Sequence, residues 1–261
     1  MPEGDSYTAA ARRMRPVLVE RPILEVDGSA PAVRKHSAAL QQATVTAVRT
    51  LGKHLLIDLD DGSTIHVHLG MPGHVRVRTG TAIPTGRQRG ALRLGLRTEV
   101  GGVAVMAAPT VEIDRRLRVE MGLEYLGPDV LAPEFDFDRF ETQASRYPDD
   151  ASVSDFLLDQ RVMAGIGNVY KSEVLFLEKL HPDRPMATVD MDTRGALARR
   201  ARRIMYPNRA RGERNTTGRR SPSLWVYGRD GEPCLRCRTA ITGDFLGAPE
   251  RVTYWCPTCQ L

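Results

Sequence analysis

The chain has 261 residues, 41% of them apolar, 6% aromatic and 26% charged, with 37 Lys and Arg against 32 Asp and Glu for a net charge of +5. That length supports one large domain or two small ones with a real core. The composition excludes a disordered chain, and the sequence contains no apolar run of the roughly 18 residues that suggest a bilayer span.

The start, Met1-Pro2-Glu3-Gly4-Asp5, carries two acids and no apolar stretch, so no secretory signal is expected and the chain reads as cytoplasmic. Residues 5–19 have helical character, with Asp5 or Ser6 placed to cap the start. From Thr44 to about Met106 apolar and polar residues alternate in short runs. Leu55–Leu59 and Ser63–Leu69, joined by Asp60-Asp61-Gly62, read as a hairpin, and Gly73–Arg78 and Ala91–Leu96 continue the pattern. This half is expected to be a sheet sandwich or barrel. His66 and His68 fall on one strand face with Thr64. A metal pair is one reading, and a solvated or hydrogen-bonded face is the simpler one.

Gly127 to Pro133 breaks the alternation and reads as a linker. Beyond it the spacing turns helical over Glu134–Phe140, Val153–Leu158 and Asn168–Leu180. Gly165-Ile166-Gly167 makes a tight turn between two helices, with Asn168 placed to cap the second. Backbone N–H groups at such a helix start form an anion site, and DNA phosphate is the natural anion.

Ten arginines and one acid, Glu213, lie between Arg194 and Arg220, a local +9 that leaves the rest of the chain at −4. Concentrated charge of this kind points to a polyanion partner, although a solvated helix face followed by a basic loop has the same signature. Lysine is scarce: Lys35, Lys53, Lys171 and Lys179 are all there are. All four cysteines lie near the end, as Cys234-Leu-Arg-Cys237 and Cys256-Pro-Thr-Cys259. Two CxxC pairs at this spacing read as one tetrahedral zinc site with four protein ligands, hence structural; four reduced thiols in a small core are the alternative. Leu224–Tyr227 and Arg251–Trp255 read as strands, so the metal would clamp the base of a β-hairpin.

Three separated motifs in order resemble one family: Pro2-Glu3-Gly4, the Gly165-Ile-Gly-Asn168 turn, and the ending from Tyr227-Gly-Arg-Asp-Gly to Arg251-Val-Thr-Tyr-Trp-Cys256. They are similar to the formamidopyrimidine-DNA glycosylase/endonuclease VIII family, and the likeness runs from Pro2 to Gln260. The resemblance implies a multi-domain α+β fold. Its expected parts are a catalytic β-sandwich over 1–128, a linker over 129–149, a helix–two-turn–helix domain over 150–222 and a zinc finger over 223–261. It also implies a monomeric bifunctional glycosylase/AP lyase acting on damaged double-stranded DNA, with one structural zinc ion, no organic cofactor and no membrane partner.

The residue roles are carried over in the same way. Pro2 matches the catalytic amine, exposed once Met1 is removed, and Glu3 the acid beside it. Lys53 matches a turn lysine that contacts phosphate and assists β-elimination. Arg251 matches the arginine that grips flanking phosphates, with a part in δ-elimination. Asn168, with Gly165 and Gly167, matches the phosphate-holding turn, and Glu173 an acid that braces it. Met71 matches a side chain that fills the hole left by the flipped nucleotide.

Two departures bear on substrate. The formamidopyrimidine branch carries an Asp-Pro-Arg-Arg-Phe filler segment, where this chain has Asp114-Arg-Arg-Leu117. With the Pro-Glu-Gly start and the Asn215-Thr-Thr-Gly218 loop, this leans towards the endonuclease VIII branch and oxidised pyrimidines. Asp5-Ser6 stand where the family has a pocket-shaping glutamate, so oxidised purines remain an alternative, as does a non-catalytic damage-binding protein.

Overall fold

The computed structural model describes residues 2–210, 213–246 and 251–261, leaving Met1 and Arg211 outside the described residues. The chain divides into two units, one ending at Tyr125 and the other running from Leu126 to Leu261.

The first unit opens with α1 (Gly4–Leu18), whose buried Tyr7, Ala10, Ala11, Met14, Val17 and Leu18 recur every three or four residues along one face. Its N-cap is Glu3, not Asp5 or Ser6: Ser6 stands one turn inside, and its Oγ accepts from the Glu3 N–H at 3.5 Å. The remaining elements are β1 (Arg21–Pro22), β2 (Glu25–Asp27), α2 (Pro31–Leu40), β3 (Thr44–Leu51), β4 (His54–Leu59), β5 (Ser63–His68), β6 (His74–Thr79), β7 (Leu92–Arg97), β8 (Gly101–Met106), β9 (Thr110–Arg115) and α3 (Arg116–Gly122).

The strands form two antiparallel sheets, ordered β1-β3-β4-β5-β9 and β2-β7-β8-β6. Leu55, Ile57, Ile65 and Val67 of the first sheet share a core with Leu94, Leu96, Val103 and Val105 of the second. The sandwich expected from alternation is therefore present, and α1 lies against strands of both sheets.

The second unit contains α4 (Phe137–Ser145), α5 (Val153–Leu158), α6 (Asn168–Glu178) and α7 (Met191–Met205), then the hairpin of β10 (Thr242–Phe245) and β11 (Val252–Trp255). Asp136, Ser152 and Asp190 cap α4, α5 and α7 with side-chain hydrogen bonds. Phe140, Phe156, Val174 and Leu197 bring the four helices to one core. The 129–149 stretch read as a linker thus contributes α4 to this unit.

Two sequence expectations change here. Half of the ten arginines of the basic segment lie on α7, and Arg194, Arg200 and Arg202 among them act inside the unit. Arg194 is buried and donates to the carbonyls of Val189, Ala144 and Met186; Arg200 pairs with Glu178; Arg202 donates to the carbonyls of Val130 and Ala132. Arg199, Arg203, Arg219 and Arg220 remain exposed. Leu224–Tyr227 is not a strand, because the N–H groups of Trp225, Val226 and Tyr227 go to the Glu173 carboxylate instead of a neighbouring strand.

Candidate active site

In the first unit, Pro2 is half-buried and leads directly into α1, and Glu3 is completely buried at the N-cap. A carboxylate at that position lies at the positive end of the helix dipole. Lys53 occupies the tight turn between β3 and β4, where Gly52 adopts φ +55° and Leu51 pairs with His54.

His54, His66 and His68 cluster on the adjoining strands, with the His54 ring 5.0 Å from that of His66 and 5.2 Å from that of His68. The hydrogen-bonded reading of this face is the one realised. His54 Nδ1 and His66 Nε2 are 2.8 Å apart, and Thr64 is buried, donating to Asp58 at 2.7 Å. Burial, followed by His66, His68 and Lys53, pushes the His54 imidazole down to about 3. His68 is lowered too, by burial, Lys53 and His66.

The loop after β5 has a rigid base and an apolar tip. The Leu69 N–H donates to the Tyr7 hydroxyl at 2.7 Å, and the Gly73 N–H to the Leu69 carbonyl at 3.0 Å. Burial raises the Tyr7 phenol to about 12, keeping it protonated. Gly70, at φ +60°, packs so closely on Pro109 that a Cβ there would lie 2.8 Å from the proline Cγ. Met71, between these anchors, is 70% exposed.

Asp114-Arg-Arg-Leu117 does not reach this loop. In the β5–β9 pair Thr110 opposes His68 and Arg115 opposes Ser63, so the segment lies at the far end of the strands. What packs on the loop, against Gly70, is Pro109, in the turn between β8 and β9.

In the second unit, Gly165 adopts φ +112°, a conformation open to glycine. Gly167, not Asn168, is the N-cap of α6. Asn168 is the first helical residue, and its Nδ2 donates to the Val252 carbonyl at 2.8 Å. Lys171 Nζ donates to Thr253 Oγ1 at 2.6 Å, and the Tyr254 N–H reaches Ser172 Oγ at 3.5 Å. Three successive residues of β11 are thus held by one face of α6. Arg251 is the half-buried residue that leads into β11.

Glu173 is fully buried and accepts from Thr216 Oγ1 and from the N–H groups of Trp225, Val226 and Tyr227. Burial raises its pKa, and these donors work the other way. It braces the 216–227 segment and not the glycine turn. Lys171 and Thr253 carried no readable motif; lysine scarcity was the one hint.

The four cysteine Sγ atoms lie within 4.8 Å of one another, Cys234 to Cys259 at 4.0 Å and Cys237 to Cys256 at 3.4 Å. A ZnS4 tetrahedron with Zn–S near 2.3 Å has S···S edges of about 3.8 Å, so the donor set fits zinc. With all four positions taken by protein, such an ion would order the hairpin and leave no open position for catalysis.

Models of the formamidopyrimidine-DNA glycosylase N-terminal domain and of the formamidopyrimidine-DNA glycosylase H2TH domain match residues 1–108 and 126–218. The Streptomyces coelicolor protein named Probable endonuclease 8 2 is 39% identical over 100% of this chain and 94% of its own length. The chain belongs to the formamidopyrimidine-DNA glycosylase family. A Mycolicibacterium smegmatis relative, DNA-(apurinic or apyrimidinic site) lyase Nei2, is 38% identical over 100% of this chain and 99% of its own. The fold is also similar to that of Lactococcus lactis Fpg in complex with abasic-site DNA, with a TM-score of 0.83, 24% identity and 99% of each chain covered.

Proposed function

We propose that this member of the family excises oxidised pyrimidines through a Schiff base on Pro2 and then cuts the strand by elimination. The chain is a DNA glycosylase with AP-lyase activity in base excision repair, acting on damaged DNA. The observation that carries the finer reading is the N-terminal turn: a proline at position 2, a secondary amine once Met1 is removed, followed at once by a buried Glu3 at the N-cap of α1.

The α-amine has an ordinary pKa near 7.7–8.0, so roughly a tenth or more is unprotonated at neutral pH, against almost none of a lysine near 10.4. The amine nitrogen attacks the sugar C1′, the ring opens, the base departs with a proton and an iminium joins Pro2 to C1′. Glu3 carries protons to and from the sugar oxygen. Loss of a C2′ proton then expels the 3′ phosphate, with Lys53 assisting and Arg251 and Asn168 on phosphates. Bound zinc would supply no chemistry here; it would hold the strand that follows Arg251.

Pyrimidine preference is supported by the departure at Asp114-Arg-Arg-Leu117 from the formamidopyrimidine branch's filler segment and by endonuclease 8 relatives at 39% and 37% identity, against 31% for a formamidopyrimidine-DNA glycosylase of Xanthomonas oryzae. The presence of Pro2, Glu3 and Lys53 together disfavours a non-catalytic binder.

Borohydride trapping on abasic and lesion-bearing oligonucleotides tests the mechanism. The adduct is expected on the peptide beginning at Pro2, and Met1-retaining protein should be inactive. An adduct on Lys53, or full-rate cutting with Met1 intact, would overturn it. The same panel, carrying one oxidised base per oligonucleotide, tests substrate preference; faster cutting at oxidised purines would reverse it.

A further inference from the structure

Beside Lys53 runs a hydrogen-bond chain that none of the roles above uses. His54 Nδ1 meets His66 Nε2 at 2.8 Å, and His66 Nδ1 meets Glu112 Oε2 at 3.3 Å. The chain crosses the sheet from β4 through β5 to β9, along the register Leu56↔His66↔Glu112. Its outer end is wet: the Glu112 side chain is 67% exposed and that of His66 12%. Both line a cavity of about 510 Å³ with Lys35 and His36 of α2, Asp114 of β9 and Arg118 of α3. Its inner end meets Lys53, His68 and, beyond His68, Tyr7 of α1.

The polarity of the chain follows from its acid. An ionised carboxylate only accepts, so His66 donates from Nδ1. With His66 neutral, its Nε2 must then accept, and His54 donates from Nδ1. That leaves His54 Nε2 bare, the less common tautomer of a free imidazole. Burial and the neighbouring Lys53 ammonium independently favour the uncharged ring.

We propose that Glu112 and His66 are positioning residues, which hold His54 as a neutral imidazole with an unprotonated Nε2 so that the side chain following Lys53 is a hydrogen-bond acceptor and not a second cation. The proposal rests on the lyase reading for its consequence. An uncharged ring there spares the lysine ammonium the repulsion that an imidazolium would impose.

Long-range 1H–15N spectra of the histidine rings of the whole protein test the tautomer without any assay. His54 should show a protonated Nδ1 and a bare Nε2, and should stay neutral as pH falls through the ordinary histidine value of about 6.5. A protonated Nε2, or titration of His54 at the ordinary value, would overturn the proposal. The second arm is strand cleavage at preformed abasic sites. His66→Leu cuts the chain and should slow cleavage. His66→Gln, which still accepts from His54 and donates to Glu112, should recover most of the rate and the His54 tautomer. Equal loss in both variants, or none in His66→Leu, would sink it. If His66→Leu does not fold, the wild-type spectrum decides alone. Wild-type protein unable to cut abasic DNA would instead refute the lyase reading, and the spectrum would still judge the tautomer.

Discussion

Asn168 Nδ2 donates to the Val252 carbonyl at 2.8 Å, tying the first residue of α6 to the residue after Arg251. The bond uses an amide donor that the resemblance assigned to DNA phosphate, and it leaves Asn168 Oδ1 buried with no hydrogen-bond partner among the described residues. An orphaned acceptor of this kind costs about 1–3 kcal/mol. The same side chain's bond to Val252 fixes the start of β11, next to Arg251.

The first prediction follows from this contact. Asn168→Ala loses one hydrogen bond but also removes the orphan, and should lower stability by about 1 kcal/mol or less. Asn168→Asp keeps the shape, replaces the donor with a carboxylate facing a carbonyl, and should cost about 1–3 kcal/mol with a larger loss of DNA affinity. Urea unfolding and DNA titration check both; an Asp variant as stable as the Ala variant would contradict the assignment. Lys171→Met, which cuts the bond to Thr253, should raise amide exchange in β11 before it lowers global stability.

The contrast between what the sequence discloses and what it hides is physical. Strand alternation and the CxxC pairs are local, so Leu55–Leu59, Ser63–Leu69 and the cysteine cluster are readable from spacing alone. The α7 helix was masked by arginines because three of them point inward to carbonyls and an acid, which no periodicity reveals. The Leu224–Tyr227 run has strand composition, yet a carboxylate more than fifty residues earlier takes its N–H groups. Similarly, the resemblance sets Asp114–Leu117 against a filler segment, and the β5–β9 register puts it at the other end of the strands from the Met71 loop.

Zinc supplies the second prediction. The hairpin β10–β11 is only two strands, too few for independent stability, and its small core of Val226, Ile241 and cysteines is completed by Phe176 of α6. One zinc per chain is expected by metal analysis. Chelation or Cys256→Ser should release the hairpin to proteolysis, change the fluorescence of Trp225 and Trp255, and weaken DNA binding through Arg251. The first unit, whose core contains no cysteine, should keep its protection from exchange. Metal-free protein with full DNA affinity would refute this.

The third prediction concerns acid. Burial opposes the charge of Asp58, but Arg49, the Thr64 hydroxyl and Arg116 outweigh it and hold the carboxyl below its ordinary value of 3.8. A depressed folded-state pKa contributes stability above the unfolded value that is lost as pH falls through the folded one. Asp58→Asn should therefore destabilise the protein at neutral pH, and the gap to wild type should narrow below 3.8. His54 acts in the same direction over a higher window. Its folded value of about 3 lies under the ordinary 6.5, so the unfolded chain binds the proton first and stability declines as pH falls between the two. His54→Gln should flatten that decline. Thermal melts across the two windows separate the effects, and a gap for Asp58→Asn that widens on acidification would refute the first.

The fourth prediction is that Met71 separates base removal from strand cutting. Its side chain is 70% exposed, so Met71→Ala should leave the melting temperature almost unchanged. The loop beneath it is fixed by the Tyr7–Leu69 bond, the Gly73–Leu69 bond and the Gly70–Pro109 contact, so truncation removes the tip and not the platform. Flipping a nucleotide costs a few kcal/mol of unstacking and unpairing, least where the base is damaged, mispaired or already missing. A wedge repays that cost for an intact pair and has little to repay at an abasic site. Met71→Ala should accordingly slow excision of a paired oxidised base by tenfold or more, while cleavage of a preformed abasic site changes little. Met71→Leu, which keeps the bulk, should restore most of the excision rate. Equal slowing on paired lesion and abasic DNA would show instead that Met71 serves general DNA binding.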